Sequence, residues 1–164
     1  MESDADKLNR CLIAESDWFI AKLLLRYAEG SGLACVRAME GEDVAALARQ
    51  SNPDVIILDA EFPGDKVGWE IMRALRSDKD TRHIAIISCS WLSQSEVRSL
   101  GGNLTGYLQK PNISYDDFEN AMRAAGVFIS AFTSSLPGYK RNKSAPTESD
   151  HSTNELRNFS NDGL

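Results

Sequence analysis

Five times along the chain a short apolar run gives way to a longer stretch whose apolar residues recur every three or four positions. A run of four to six apolar residues with no polar alternation suits a strand covered on both faces, and a single apolar stripe at helical spacing suits the helix that covers it. Cys11-Leu12-Ile13-Ala14 opens the pattern and stops at Glu15-Ser16-Asp17. Phe19, Ile20, Leu23, Leu24 and Tyr27 then mark a helix that Gly30 and Gly32 end. Leu33 to Ala38 reads as a second strand, and Val44, Leu47 and Ala48 as the inner face of a second helix broken by Asn52-Pro53. Val55-Ile56-Ile57-Leu58 is the most apolar strand, closed by Asp59. A loop with Pro63, Gly64 and Gly68 leads into a helix carrying Trp69, Ile71, Met72 and Leu75. The remaining elements are a strand over Ile84 to Ile87, a weaker helix over Ser93 to Leu100 ended by Gly101-Gly102, and a short strand over Thr105 to Gln109 before Lys110-Pro111.

The last helix starts near Ser114, whose hydroxyl can cap it, with Asp116 and Asp117 in its first turn. Its expected inner face is Phe118, Ala121, Met122, Ala125 and one of Phe128 or Ile129. The apolar character runs on through Val127, Phe128, Ile129 and Phe132, which reads as a longer core helix or as an exposed strip for a homodimer or partner helix. Strands alternating with helices of this length imply right-handed crossovers and a doubly wound five-stranded parallel sheet, an α/β fold of (βα)5 type. The domain is expected over residues 8–132, after a polar extension at 1–7. Residues 133–164 are mostly Ser, Asn, Thr and charged residues, too poor in apolar surface to offset their ordering entropy, and read as a disordered tail.

Composition narrows the function. A net charge of −6 argues against a nucleic-acid surface, which needs clustered Lys and Arg; Lys140-Arg141-Asn142-Lys143 is a short basic patch of the kind found in solvated linkers. No apolar run approaches the roughly 20 residues of a membrane helix, and the acidic start is unlike a signal peptide, so a cytoplasmic location is expected. Cys11, Cys35 and Cys89 lack CxxC spacing and each lies in an apolar strand-like run, which suits buried, reduced thiols. His83 and His151 read as structural or exposed residues.

In a doubly wound sheet the ligand site lies outside the carboxyl ends of the strands. Those ends carry Glu15-Ser16-Asp17, Asp59, Ser88 and Lys110-Pro111. Clustered carboxylates call for a cation, and hard oxygen donors suit Mg²⁺. A lysine and a hydroxyl beside them are donors for an anion. This is the inventory that phosphoryl transfer to a carboxylate needs, because that chemistry is mostly positioning and charge neutralisation.

With these residues in place, the chain resembles response-regulator receiver domains of two-component signalling. The resemblance is carried by Cys11 to Asp17, by Pro53-Asp54-Val55-Ile56-Ile57-Leu58-Asp59 with Pro63-Gly64, by Ile86-Ile87-Ser88 and by Gly106-Tyr107-Leu108-Gln109-Lys110-Pro111, and it spans roughly Leu8 to Gly126. It implies a flavodoxin-like strand order 2-1-3-4-5. It further implies that Asp59 is the phosphoacceptor, that Lys110 contacts the phosphoryl oxygens, and that Ser88 donates its hydroxyl while Tyr107 changes rotamer. Glu15, Asp59 and the backbone carbonyl of Glu61 would hold Mg²⁺. Ser16 stands where the family usually has a second acid. One charge pair at ~4 Å is worth roughly 4 kcal/mol at an effective dielectric of about 20, less the desolvation cost, so weak Mg²⁺ binding is expected, with Ser16 or Asp17 acting through a water. Asp17 could equally cap the first helix. The family's Asp-Gly pair is replaced by Val67-Gly68, and Lys66 lies near the acidic rim.

The resemblance implies no enzyme beyond self-catalysed phosphoryl transfer to Asp59 and its reversal. The implied phosphodonor is a histidine kinase or phosphotransfer protein. The implied output is binding of a downstream protein, or a homodimer, through the face of helix four, strand five and helix five. The alternative is a pseudo-receiver that keeps the fold as a phosphorylation-independent interaction module, motivated by Ser16. A flavin carrier shares the architecture, but Glu15-Ser16-Asp17-Trp18 would repel its phosphate; a hydrolase would need a nucleophile paired with a His. Trp18 reads as packing at the rim, and Trp91 as a candidate partner contact.

Overall fold

The computed structural model describes residues 9–131 apart from 102. Its order is β1 (Arg10–Ala14), α1 (Trp18–Gly30), β2 (Ala34–Ala38), α2 (Val44–Ser51), β3 (Val55–Asp59), α3 (Gly68–Ser77), β4 (Ala85–Ser90), α4 (Gln94–Ser99), β5 (Gly106–Gln109) and α5 (Tyr115–Ala124). The five strands form one sheet in the order β2-β1-β3-β4-β5, every pair parallel. This is the doubly wound α/β architecture expected. The three most apolar strands occupy the three central places. The edge strands β2 and β5 show mixed exposure instead, because one flank of each has no strand beside it.

Side chains alternate across the sheet and feed two cores. On one face Ile13, Ile57 and Ile87 pack with Ile20 and Leu24 of α1 and with Phe118 and Met122 of α5. On the other, Leu12, Ile56 and Ile86 pack with Ala48 of α2, Met72 and Leu75 of α3 and Val97 of α4. Local signals fix the helix starts. Asp17 caps α1 by accepting from the N–H groups of Phe19 and Ile20, and Ser114 caps α5 by accepting from Asp117, whose carboxylate returns a bond to the Ser114 N–H.

Three expectations about these elements need correction. α5 does not continue through the apolar residues after Ala125. Gly126 takes the left-handed conformation at φ 71°, and the N–H groups of Gly126 and Val127 turn back onto the carbonyls of Arg123 and Met122. This is a Schellman stop, and it needs no change in hydrophobicity to end a helix. Val127 tucks into the core, whereas Phe128 is 89% exposed; Phe132 and the tail at 133–164 lie outside the described residues, as does the extension at 1–7. β4 runs to Ser90 rather than to Ile87, so Ser88 is inside the strand and not at its end. Cys35 is only partly buried, since β2 is an edge strand, while Cys11 and Cys89 are buried as expected.

Gly68 lets α3 sit directly on the end of β3. A Cβ there would run into the carbonyl oxygen of Asp59 and stand 2.7 Å from the carbonyl carbon of Ala60, and the Trp69 N–H bonds the Ala60 carbonyl at 3.0 Å. The first turn of the helix thus rests on main chain, with no side chain between. Gly68→Ala is expected to destabilise the fold by about 2–3 kcal/mol through overpacking against backbone that cannot yield, read as a lower urea midpoint at unchanged slope.

Candidate functional site

The carboxyl ends of β1, β3 and β5 meet at one point. Lys110 directly follows β5 and is joined to Pro111 by a cis peptide bond, and its Nζ lies 2.9 Å from Glu15 Oε1 and 3.1 Å from Asp59 Oδ2. All three side chains are buried. Ser16 Oγ donates to Asp59 Oδ2 at 3.0 Å, and the Glu61 N–H donates to Asp59 Oδ1 at 2.9 Å. The Asp17 N–H donates to Glu15 Oε1. The other Glu15 oxygen, Oε2, is buried without a hydrogen-bond partner.

Two carboxylates sharing one ammonium leave a negative charge over, and the proton affinities record it. Burial works to raise the pKa of Asp59, but the Lys110 ammonium and the Glu61 N–H outweigh it and hold the carboxyl below its ordinary value. Burial would strip the proton from Lys110, yet Glu15 and Asp59 keep it raised. Glu15 carries the imbalance: burial and the charge of Asp59 push it from 4.5 to about 7, against the pull of Lys110. Burial also pushes the Glu61 carboxyl up, and it pushes the thiol of Cys89, the register partner of Asp59, far above its ordinary value.

Among the described residues no three His, Cys, Asp or Glu side chains converge to hold a metal. Two carboxylates do converge, with the Ser16 hydroxyl beside them. Mg²⁺ characteristically takes one or two carboxylates and completes its shell with water. The orphaned, buried Glu15 Oε2 is an acceptor in need of a cation, so this donor set fits Mg²⁺. Asp17 is committed to the cap of α1, which leaves Ser16 as the nearer oxygen. Lys66 is exposed and forms no ion pair among the described residues.

Ser88 and Tyr107 are register partners on β4 and β5. Ser88 Oγ is buried and unpartnered, and it makes no hydrogen bond to the cluster. The Tyr107 hydroxyl donates to the Leu92 carbonyl and lies 2.8 Å from Gln109 Oε1. Gln109 Nε2 donates to the Trp91 carbonyl at 3.1 Å. Side chains of β5 therefore hold the loop after β4, from which Trp91 projects. Trp18, just past the carboxyl end of β1, is also exposed, with Lys22 Nζ 4.8 Å above its ring. Sequence reasoning missed the Glu61 side chain, both of whose oxygens accept from Ser90 Oγ at 3.0 and 3.1 Å; with Ser90 read as lying past the end of its strand, nothing in the spacing linked the two.

This geometry agrees with a family model, the response regulator receiver domain, that matches residues 11–123. The chain belongs to that family. Receivers are signalling modules of two-component systems rather than enzymes in general. The polar-differentiation response regulator DivK of Brucella ovis is 30% identical over 102 residues, 61% of this chain and 82% of DivK. The fold is shared with the chemotaxis response regulator CheY4 of Vibrio cholerae, at TM-score 0.64 and 21% identity over 72% of this receiver and 99% of CheY4. It is shared equally with the receiver domain of the sensor histidine kinase PA1611 of Pseudomonas aeruginosa PAO1, at TM-score 0.63 and 19% identity over 73% and 99% of the two chains; that structure has a magnesium ion coordinated in its active site cleft. No helix among the described residues of this receiver is long and apolar enough to cross a membrane.

The raised Glu15 pKa makes metal-free stability depend on pH. The folded chain binds more protons than the unfolded one between 4.5 and about 7, so this group's contribution falls as pH rises through that window. Urea titrations across it should show the decline in the parent chain, and Glu15→Gln should remove most of it, as should saturating Mg²⁺.

Proposed function

We propose that this receiver accepts a phosphoryl group on Asp59 and signals by changing which protein it binds. The observation that carries the proposal is the buried Lys110 ammonium bonded at once to Glu15 and Asp59. A carboxylate nucleophile must be ionised, and Lys110 with the Glu61 N–H keeps Asp59 so. An Asp59 oxygen attacks the phosphorus of a phosphohistidine on a histidine kinase or phosphotransfer protein. The N–P bond breaks as the acyl phosphate forms, and the leaving imidazole nitrogen takes up a proton. Lys110 then has phosphoryl oxygens within its reach in place of the carboxylate it now holds. Ser88 Oγ, buried and without a partner, is a donor in reserve for the same oxygens. Mg²⁺ held by Glu15, Asp59 and the Glu61 carbonyl, with Ser16 or a water in the remaining place, would neutralise charge on the transferred group.

The new charge, about −1.5 to −2 by analogy with other phosphorylated side chains, favours inward movement of Ser88. Tyr107, its register partner, holds the loop after β4, so the face of α4, β5 and α5 is the surface that would pass the change to a downstream protein or a second copy. A specific observation favours the pseudo-receiver as the second reading: Ser16 donates to Asp59 where an acid would bind metal.

Beryllofluoride or a small phosphodonor with Mg²⁺ should modify the parent chain, with Trp18 fluorescence following metal binding, and Asp59→Asn should abolish the modification. Ser16→Asp should tighten Mg²⁺ binding by about tenfold or more, given the added charge less its desolvation. Absence of any Asp59-dependent product in both the parent and Ser16→Asp would leave the interaction module as the function.

A further inference from the structure

Two of the three cysteines are neighbours. Cys11 and Cys35 are direct register partners in the β1–β2 ladder, so both side chains leave the sheet on the face covered by α1 and α5 and meet the same core. Adjacent strands lie about 4.7–4.9 Å apart, inside the roughly 4.4–6.8 Å between Cα atoms that a disulfide spans. The Cys35 thiol is not locked to Cys11: it donates to the Leu33 carbonyl at 3.6 Å. Their access to solvent differs: Cys11 is buried, whereas Cys35 stands on the edge strand and is partly open.

Their acidity differs in the same direction. The neighbouring Cys11 thiol lowers the pKa of Cys35, against its own partial burial and the nearby charge of Glu29. The neighbouring Cys35, with full burial, raises that of Cys11. A reachable, more acidic thiol backed by a sheltered one is the arrangement of a reactive cysteine with its resolving partner. Cys89 has neither property, being buried on β4 with its thiol held protonated.

We propose that Cys35 and Cys11 form a hydroperoxide-reactive dithiol that closes reversibly into an intramolecular disulfide clipping β2 to β1. In the first step the Cys35 thiolate attacks one peroxide oxygen. The O–O bond breaks, Cys35 is oxidised to the sulfenic acid, and the departing oxygen leaves as water or alcohol with the proton given up by the Cys35 thiol. In the second, Cys11 sulfur attacks Cys35 sulfur. The S–S bond forms, the S–O bond breaks, and hydroxide leaves with the Cys11 proton as water. Two thiols thereby lose two electrons and one peroxide gains them. Parallel, directly opposed strands do not present the ideal disulfide geometry, so the bond is readily reduced, and a small thiol restores both cysteines by exchange.

The test treats the full chain with graded hydrogen peroxide, blocks the remaining thiols, and maps linked peptides without reduction. The expected product is a monomer with Cys11 joined to Cys35, reversed by dithiothreitol, with Cys89 still open to alkylation after unfolding. Cys11→Ser should arrest the reaction at a Cys35 sulfenic acid that dimedone captures, and Cys35→Ser should lose both products. Oxidation that starts at Cys89 overturns the proposal. So does a link between the Cys35 residues of two chains, or a parent chain that passes to sulfinic acid or stays unmodified with no disulfide. The map of the parent chain decides this without relying on either variant folding.

Discussion

One buried ammonium organises the site. Taking a lysine and two carboxylates out of water costs several kcal/mol per ion, and the attraction among them offsets that cost only when geometry and hydrogen bonds are good. Here Lys110 reaches both acids, Ser16 and the Glu61 N–H satisfy Asp59, and the Asp17 N–H satisfies one oxygen of Glu15. The second oxygen of Glu15 is left over. The cluster therefore keeps one unmet demand for positive charge, which a proton on Glu15 or a divalent cation can supply. A site fully neutralised by its own side chains would make no such demand and would have nothing to offer a cation.

Such a cluster survives only on a rigid frame, and the strand order supplies it. β1 and β3 are adjacent and β5 lies two strands from β3, so Glu15, Asp59 and Lys110 issue from three strand ends held by two separate cores. Phe118 and Met122 fill one side of the sheet, Met72 and Leu75 the other. The acids sit at strand ends because an ion inside the ladder would lie between two apolar layers with no partner.

Much of this could be read from residue order. Four apolar residues before Asp59 demanded a central strand, and Lys110-Pro111 after a short apolar strand placed a cation on the same rim. Ser114 with Asp117 announced a helix start. Less legible were features set by conformation or by distant partners. Gly126 ends α5 by its backbone angle while the apolar pattern runs on unchanged, so periodicity overshot it. Ser88 looked terminal because the continuous apolar run stops at Ile87, yet the ladder pairing continues through Ser88, Cys89 and Ser90. The Ser90–Glu61 bond joins residues whose proximity depends on the register of β3 and β4, which periodicity does not encode. Cys35 looked buried because its apolar neighbours do not reveal that its strand is an edge.

The loops on either side of Asp59 are held by unlike means. On one side α3 rests on main chain, with only the hydrogen of Gly68 between the helix and the Asp59 carbonyl. On the other, the Trp91 and Leu92 carbonyls are gripped by the ends of two side chains, Gln109 and Tyr107. Two torsional rotations release the second contact, while the first gives way only if the helix lifts off the sheet. The floor beneath Asp59 is thus a fixed wall on the α3 side and a hinged one on the α4 side, and a disturbance at Asp59 has one direction in which to spread.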